Sequence, residues 1–486
     1  MAHGRAFAVR KLRVVSPVGI NDWRNEMYIE KFLTKYDDSL TGELNIDPLG
    51  QLVIWSSWGQ DIFHSRITSI ANDVRQYTLN LMHHSVLRQL LVDEKQQTSG
   101  AMKSFYHKKQ LQEFRVACLI HLENIYIYSM LAAEKKGVTL TGVQGINKAR
   151  PKWNAANKNP QILFGHEKSS ELLTNQIALG TNGRYKSPMM KMQFFSTDYR
   201  YDLPGNKPVW QVAEAFIRNV PELKQLHAAA LTYMQSLMQA SHKRDLTPFY
   251  EDIPAGLKKA YVRAFRDPKM VGDYSREFWL QRTGLDKYAA GAIYRVLKQE
   301  RSDELELTDT EVFKRAMQQA KSMPEMNDSD LRALQHISQA EPFLSLIDLM
   351  FLGLRRQSSQ TLAEFRQFWQ LRGLTELDLP QRAAQLLEND ALLSSLSGTP
   401  ARRFQQLLAL ASMPLLEDQV RGLLDYHHKL METRGQFPWL ILEGHEILLQ
   451  VPPYSLREDR QNSDWVNRYY LPQFRHLLNG LWGHTV

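Results

Sequence analysis

His428 and Glu432 stand four residues apart, so on one helix they share a face and could offer two ligands to a single metal ion. His427, His445 and Glu446 are near them in the chain, and a hairpin carrying His445 could bring a third ligand. The pattern stops there. HExxH and paired-histidine signatures are absent, and His–Glu at this spacing is common on exposed helices, so no metal is expected at this cluster. Other acids are no better placed for a nuclease: Asp303, Glu304 and Glu306 fall in a loop between helices, while Asp198 and Asp202 flank a short strand in basic surroundings. The GxSxG turn of a serine hydrolase is missing. Gly142-Val143-Gln144-Gly145 has neither the GxGxxG spacing nor the Gly-Lys-Ser/Thr ending of a phosphate cradle, and no NTPase signature occurs elsewhere. Cys118, the one cysteine, sits in the apolar run VACLIHL and reads as core. A single cysteine excludes an intramolecular disulfide framework and a Cys-based zinc site, and a reducing cytoplasm is expected. No cofactor is expected, and nothing rises to a catalytic assignment.

Charge is more informative than any catalytic pattern. The segment from Lys135 to Lys207 holds twelve Lys/Arg against Glu167, Glu171, Asp198 and Asp202, a net +8 that equals the formal net charge of the whole chain. Localised positive charge is the footprint of a surface that meets phosphates. Within it, Gly137 to Pro160 reads as a long loop in which Lys148, Arg150 and Lys152 alternate with Trp153. That combination suits nucleic acid, the cations engaging phosphate and the indole stacking on a base.

The elements that would position these side chains read as a helix-turn-helix. Ser169 to Leu179 is a candidate helix stopped by Gly180, Thr181-Asn182-Gly183 a turn, and Ser187-Pro188 the start of a second helix. Arg184, Tyr185, Lys186, Ser187 and Lys191 would then stand at the mouth of that second helix, where cations reach phosphates or guanine edges. Thr197 to Leu203 alternates enough for a strand, and Val209 to Val220 is helical again, which would complete a wing carrying Arg200 and Lys207. Met189, Met190, Met192, Phe194 and Phe195 read as core rather than as base-stacking residues.

This glycine turn, the run Gly183-Arg184-Tyr185-Lys186-Ser187-Pro188, the apolar helix after it and the AEAF helix beyond resemble winged-helix segments in accessory proteins of bacterial anti-phage and restriction systems. The likeness covers roughly residues 169–220. Pro204 stands where a Thr-Pro pair often opens the helix after the wing. The resemblance implies contact with double-stranded DNA and partnership with other subunits that supply ATPase or nuclease activity.

With 486 residues and 43% apolar content, the chain has ample length for several cores and the composition of a soluble globular protein. Four segments are expected: a mixed and helical domain over 1–136, the basic loop and winged-helix-like segment over 137–221, a helical domain over 222–372, and a helical domain with a β-hairpin over 373–486. VRKLRVVSPV suggests a strand, Asp22 to Tyr36 a helix, and QLVIWSSWG a strand; Ile62 to Val92 and Met102 to Lys136 read as two long packed helices. His83-His84 reads as a pair of satisfied surface histidines. Capping boxes at Thr308/Glu311 and Thr361/Glu364 open later helices, and the apolar run from Phe343 to Leu354 must be buried, in its own domain or against another subunit. Phe437 to Val451 reads as a hairpin turning near Gly444, and Val466 to Leu481 as a last helix. No run of eighteen apolar residues suggests a membrane span. The reading is therefore a mainly α, multi-helical, cytoplasmic, non-enzymatic DNA-binding subunit with a winged-helix-like insert. Its alternatives are a helical scaffold for an acidic protein partner and a metal-dependent nuclease built on His428.

Overall fold

Asn327 opens the longest described helix, Asp328–Leu354, its side chain accepting the Asp330 amide at 2.9 Å. From Phe343 onward the apolar residues point in nearly every direction, and they are buried on nearly every side. By length and composition this helix could cross a membrane, yet most of it is enclosed by the protein's own helices. It is the axis of the core. Around it pack Leu52–Ile62, Tyr288–Ser302, Asp309–Ala320 and Asp378–Leu387.

The computed structural model describes residues 47–92, 100–106 and 112–484, all within one unit that spans Glu43–Val486. The strand and helix expected before residue 37 lie outside the described residues. In chain order the helices used below are α1 (Leu52–Ile62), α2 (Val74–Val92), α3 (Gln112–Ala132), α4 (Ile146–Ala155), α5 (Thr181–Lys191), α6 (Asn206–Asn219), α7 (Pro221–Met238), α8 (Ala255–Phe265), α9 (Pro268–Thr283), α10 (Asp328–Leu354) and α11 (Leu471–Leu481). The protein is mainly helical. One buried apolar cluster runs from Leu49 to Trp482, so the four expected segments share a core.

The only sheet among the described residues has three short antiparallel strands: β1 (Ser359–Thr361), β2 (Leu440–Glu443) and β3 (Glu446–Leu449), in the order β1-β3-β2. The hairpin turns at Gly444-His445, with Glu443 opposite Glu446 and Gly444 at φ 64°. Both capping boxes form as the sequence indicates, at Thr308/Glu311 and Thr361/Glu364.

Several expectations are corrected. QLVIWSSWG is not a strand: Ile54, Trp58 and Ile62 recur every four residues and line the buried face of α1. The long helix expected from Ile62 is broken by a left-handed pair, His64 and Ser65, and α2 begins only at Val74. His83 and His84 are buried, not superficial.

The helix-turn-helix does not form as drawn. Ser169 to Leu179 holds only a 3-10 turn, Lys168–Ser170, and a short helix, Gln176–Leu179. Gly180 does not end a helix but precedes α5, which absorbs the expected turn. The cause is the buried carboxyl of Glu123 on α3, which accepts the Thr181 amide at 2.5 Å and so satisfies a free N–H at the start of α5. Gly183 serves close approach instead of a turn, since a Cβ there would lie 2.3 Å from the Ile177 carbonyl oxygen. Ser187-Pro188 lies inside α5, not at its start. No strand forms over 197–203, so there is no wing; Asn182 Nδ2 instead donates to the Tyr199 hydroxyl (2.7 Å) and draws that segment onto α5.

Candidate nucleic-acid interface

From Gly137 to His166 the chain contains no acidic residue. Where a loop was expected, ten of these residues form α4, whose start is a left-handed Gly145 at φ 79°. Two side chains fix its buried face, Ala149 and Trp153. Trp153 stacks on Tyr128 (5.7 Å between centroids) and meets Tyr250 edge-on at 5.0 Å, so it anchors the helix and offers no face to a base. Lys148 and Lys152 occupy the exposed side, and Lys152 Nζ donates to the Glu171 carbonyl at 3.0 Å. Arg150 is committed to Glu134 through two 2.7 Å hydrogen bonds. Both partners are largely solvated, so this pair contributes little stability but directs the guanidinium away from other anions.

Tyr250, against which Trp153 packs, also forms a wall of a cleft of about 570 Å³. Lys136 reaches this cleft from the end of α3's region, and Lys258, Lys259, Arg263 and Arg266 reach it from α8 and its cap. Glu222 is the one acid on its lining. Lys258 Nζ donates to the Tyr250 carbonyl (3.0 Å) and lies 4.6 Å from the centre of its ring; burial lowers its pKa, against the pull of Asp252 and Glu251. Lys259, Arg263 and Arg266 are exposed at i, i+4 and i+7. That stripe is a legible helical signal which a reading centred on residues 135–207 passes over.

The remaining sequence-chosen residues scatter. Tyr185 is wholly buried, its hydroxyl accepting the amides of Asn72 (3.3 Å) and Asp73 (3.0 Å). Arg184 donates to Gln144 Oε1 at 2.7 Å. Lys186 lies over the Tyr199 ring at 4.4 Å, with its pKa lowered by burial against the nearby Asp198. Ser187 is half-buried inside α5. Arg200 is exposed and paired with Asp202 at 3.2 Å, and Lys207 is exposed at the start of α6. Lys191, at the end of α5, lines a different cleft. The structure thus gathers Lys148, Arg150 and Lys152 on one helix and does not bring the α5 residues together as a groove-reading set.

The metal-like cluster also disperses. His428, Glu432 and His445 are exposed, while His427 is buried, its Nδ1 donating to the Pro48 carbonyl (2.8 Å) and its Nε2 accepting the Trp439 amide (2.9 Å). Among the described residues no group of three or more His, Cys, Asp or Glu is placed to hold a metal ion. Phe343 to Leu354, the face on which a scaffold would keep a partner, is enclosed in this chain's own core.

No protein-family model, curated protein or solved structure matches the chain.

Proposed function

We propose that the protein binds double-stranded DNA through the face formed by α4 and α8, as a non-enzymatic subunit of a larger assembly. The observation that carries this reading is the packing of α4, through Trp153, on Tyr250, a wall of the open cleft that Lys136 and the basic stripe of α8 line. On the cleft lining the cations outnumber the one acid, Glu222, an excess of positive charge that raises the local concentration of a polyanion and speeds its capture. Contacts of this kind go to the phosphate backbone, so they position the duplex without reading its sequence. Membership of an anti-phage complex with ATPase or nuclease subunits rests on the resemblance alone, and co-purification from cells tests it.

Titration onto labelled duplex at several salt concentrations tests the binding itself. Engagement of about five phosphates predicts a log–log slope near −4.5. The variant Lys148→Glu/Lys152→Glu/Lys259→Glu/Arg263→Glu should flatten the slope and weaken binding by more than tenfold. If the wild-type chain fails to bind at low salt, or the variant binds with an unchanged slope, this face is not the interface. Retained affinity for an acidic protein with none for DNA would favour the adaptor reading instead.

A further inference from the structure

A second cleft, of about 640 Å³, lies where the end of α1, the His64-Ser65 turn, the last residue of α5, the first turns of α10 and the helix Asp390–Ser394 meet. Its walls carry Asp61, His64, Arg66, Lys191, Arg332 and His336. His64 and Ser65 hold φ of 47° and 55° in succession. Such non-glycine conformations are strained and persist only where the surroundings impose them. Here the backbone turn is held by Ser65 donating to the Gln60 carbonyl (2.9 Å), and the imidazole by Asp330.

His64 Nε2 lies 2.9 Å from Asp330 Oδ1. The Asp330 side chain is only 3% exposed, whereas that of His64 is 47% exposed. Asn327 Nδ2 donates to the other Asp330 oxygen at 2.7 Å. Burial tends to raise the Asp330 pKa, but the hydrogen bonds from His64, Asn327 and Ala289 outweigh it and hold the carboxyl below its ordinary range. An ionised, buried carboxylate therefore accepts a hydrogen bond from Nε2–H and leaves Nδ1 as the open ring nitrogen. Asp61 sits at the cleft mouth; surrounding protein pushes its carboxyl up to about 6, against the lowering influence of His64. Arg66, Lys191 and Arg332 come from three different elements, and Tyr288 meets the His64 ring edge-on at 6.3 Å.

We propose that this cleft binds a tetrahedral oxyanion of the phosphate-monoester class, with the Asp330-oriented His64 and the cations Lys191 and Arg332 as its recognition set. Two positive charges beside a histidine that can add a third suit a dianion better than a carboxylate, for which one guanidinium fork suffices. The site is separate from the α4–α8 face, and it stands or falls without DNA binding.

Sulfate is the first probe, because it stays divalent while the protein's own groups titrate. The imidazole C2–H resonance of His64, identified by its absence from His64→Gln, reports occupancy at this place and not at other basic patches. Saturating sulfate should raise the titration midpoint of that resonance by about one pH unit, and Lys191→Ala/Arg332→Ala should remove most of the rise while leaving the other histidine resonances in place. A midpoint that sulfate leaves unmoved, or that moves equally in the double variant, overturns the proposal. Inorganic phosphate and a nucleoside 5′-monophosphate, each added alone, then separate the sources: tighter binding of the ester supports a substituted phosphate, and equal binding supports the free ion.

Discussion

His84 shows how far a side chain's meaning depends on what lies across from it. As half of a His-His dipeptide it looks superficial, yet it is buried, with Nδ1 2.6 Å from the Tyr201 hydroxyl and Nε2 2.8 Å from Asn182 Oδ1. Burial, despite the Asn182 hydrogen bond, lowers its pKa to about 3; His83 falls to about 3 and His121 to about 4, again through burial first. All three are neutral when folded, and the unfolded chain takes up their protons below about 6.5. Stability is therefore greatest above that pH and falls as pH drops toward 4, by up to ~1.4 kcal/mol per pH unit for each histidine. Urea denaturation at pH 7.5, 6 and 5 should reveal this fall, and His84→Gln should make it shallower; an identical pH profile in the variant would exclude His84 as a contributor. Glu341 is the opposite case, a buried acid surrounded by donors. It accepts from the amides of Val466 (2.8 Å) and Asn467 (2.9 Å), from Ser345 Oγ (2.8 Å), from Asn467 Nδ2 and from the Tyr469 hydroxyl. Burial raises its pKa against these bonds. Glu341→Gln puts an NH2 group among donors, and it should cost roughly 3 kcal/mol and speed amide exchange at Val466 and Asn467. No sequence pattern marks either residue, because all their partners but Ser345 are distant in the chain.

Elements whose signals are local were legible, and those set by a distant partner were not. The capping boxes, the Phe343–Leu354 run and the C-terminal hairpin each carry their cause within a few residues, and each forms where the sequence indicates. Ser169 to Leu203 carries good local signals too, for a helix, a turn, a helix and a wing. There Glu123, some sixty residues upstream, caps α5 and moves the helix start onto the expected turn. In α1 the four-residue period of Ile54, Trp58 and Ile62 decided the element, although its Trp and β-branched residues imitate a strand. Glycine likewise takes its role from packing. α9 and α11 meet at Gly272, where an added Cβ would lie 1.9 Å from the Gly480 carbonyl oxygen. Gly272→Ala must force these backbones apart, and a loss of about 3 kcal/mol in urea-derived stability is expected. A loss below about 0.5 kcal/mol would mean the contact relaxes freely.

Across the whole molecule, the concentration of charge in residues 135–207 was visible in composition, but its spatial meaning was not. Most of the α5 cations are turned to internal partners, and the second half of the basic face comes from α8, outside that window. The order in which the core is completed has a further implication. α11 packs on both α2 and α9, while Tyr469 and Tyr470, just before it, press on Gly59 of α1 and on Trp55. α1 and α2 are thus closed by residues made some four hundred positions later, and α9 by residues made about two hundred later. During synthesis, the apolar faces of α1, α2 and α9 must wait without their final cover until Leu471–Leu481 has left the ribosome. A chain interrupted before that point exposes a long greasy seam, and it becomes a substrate for chaperones and proteases in place of a working fragment.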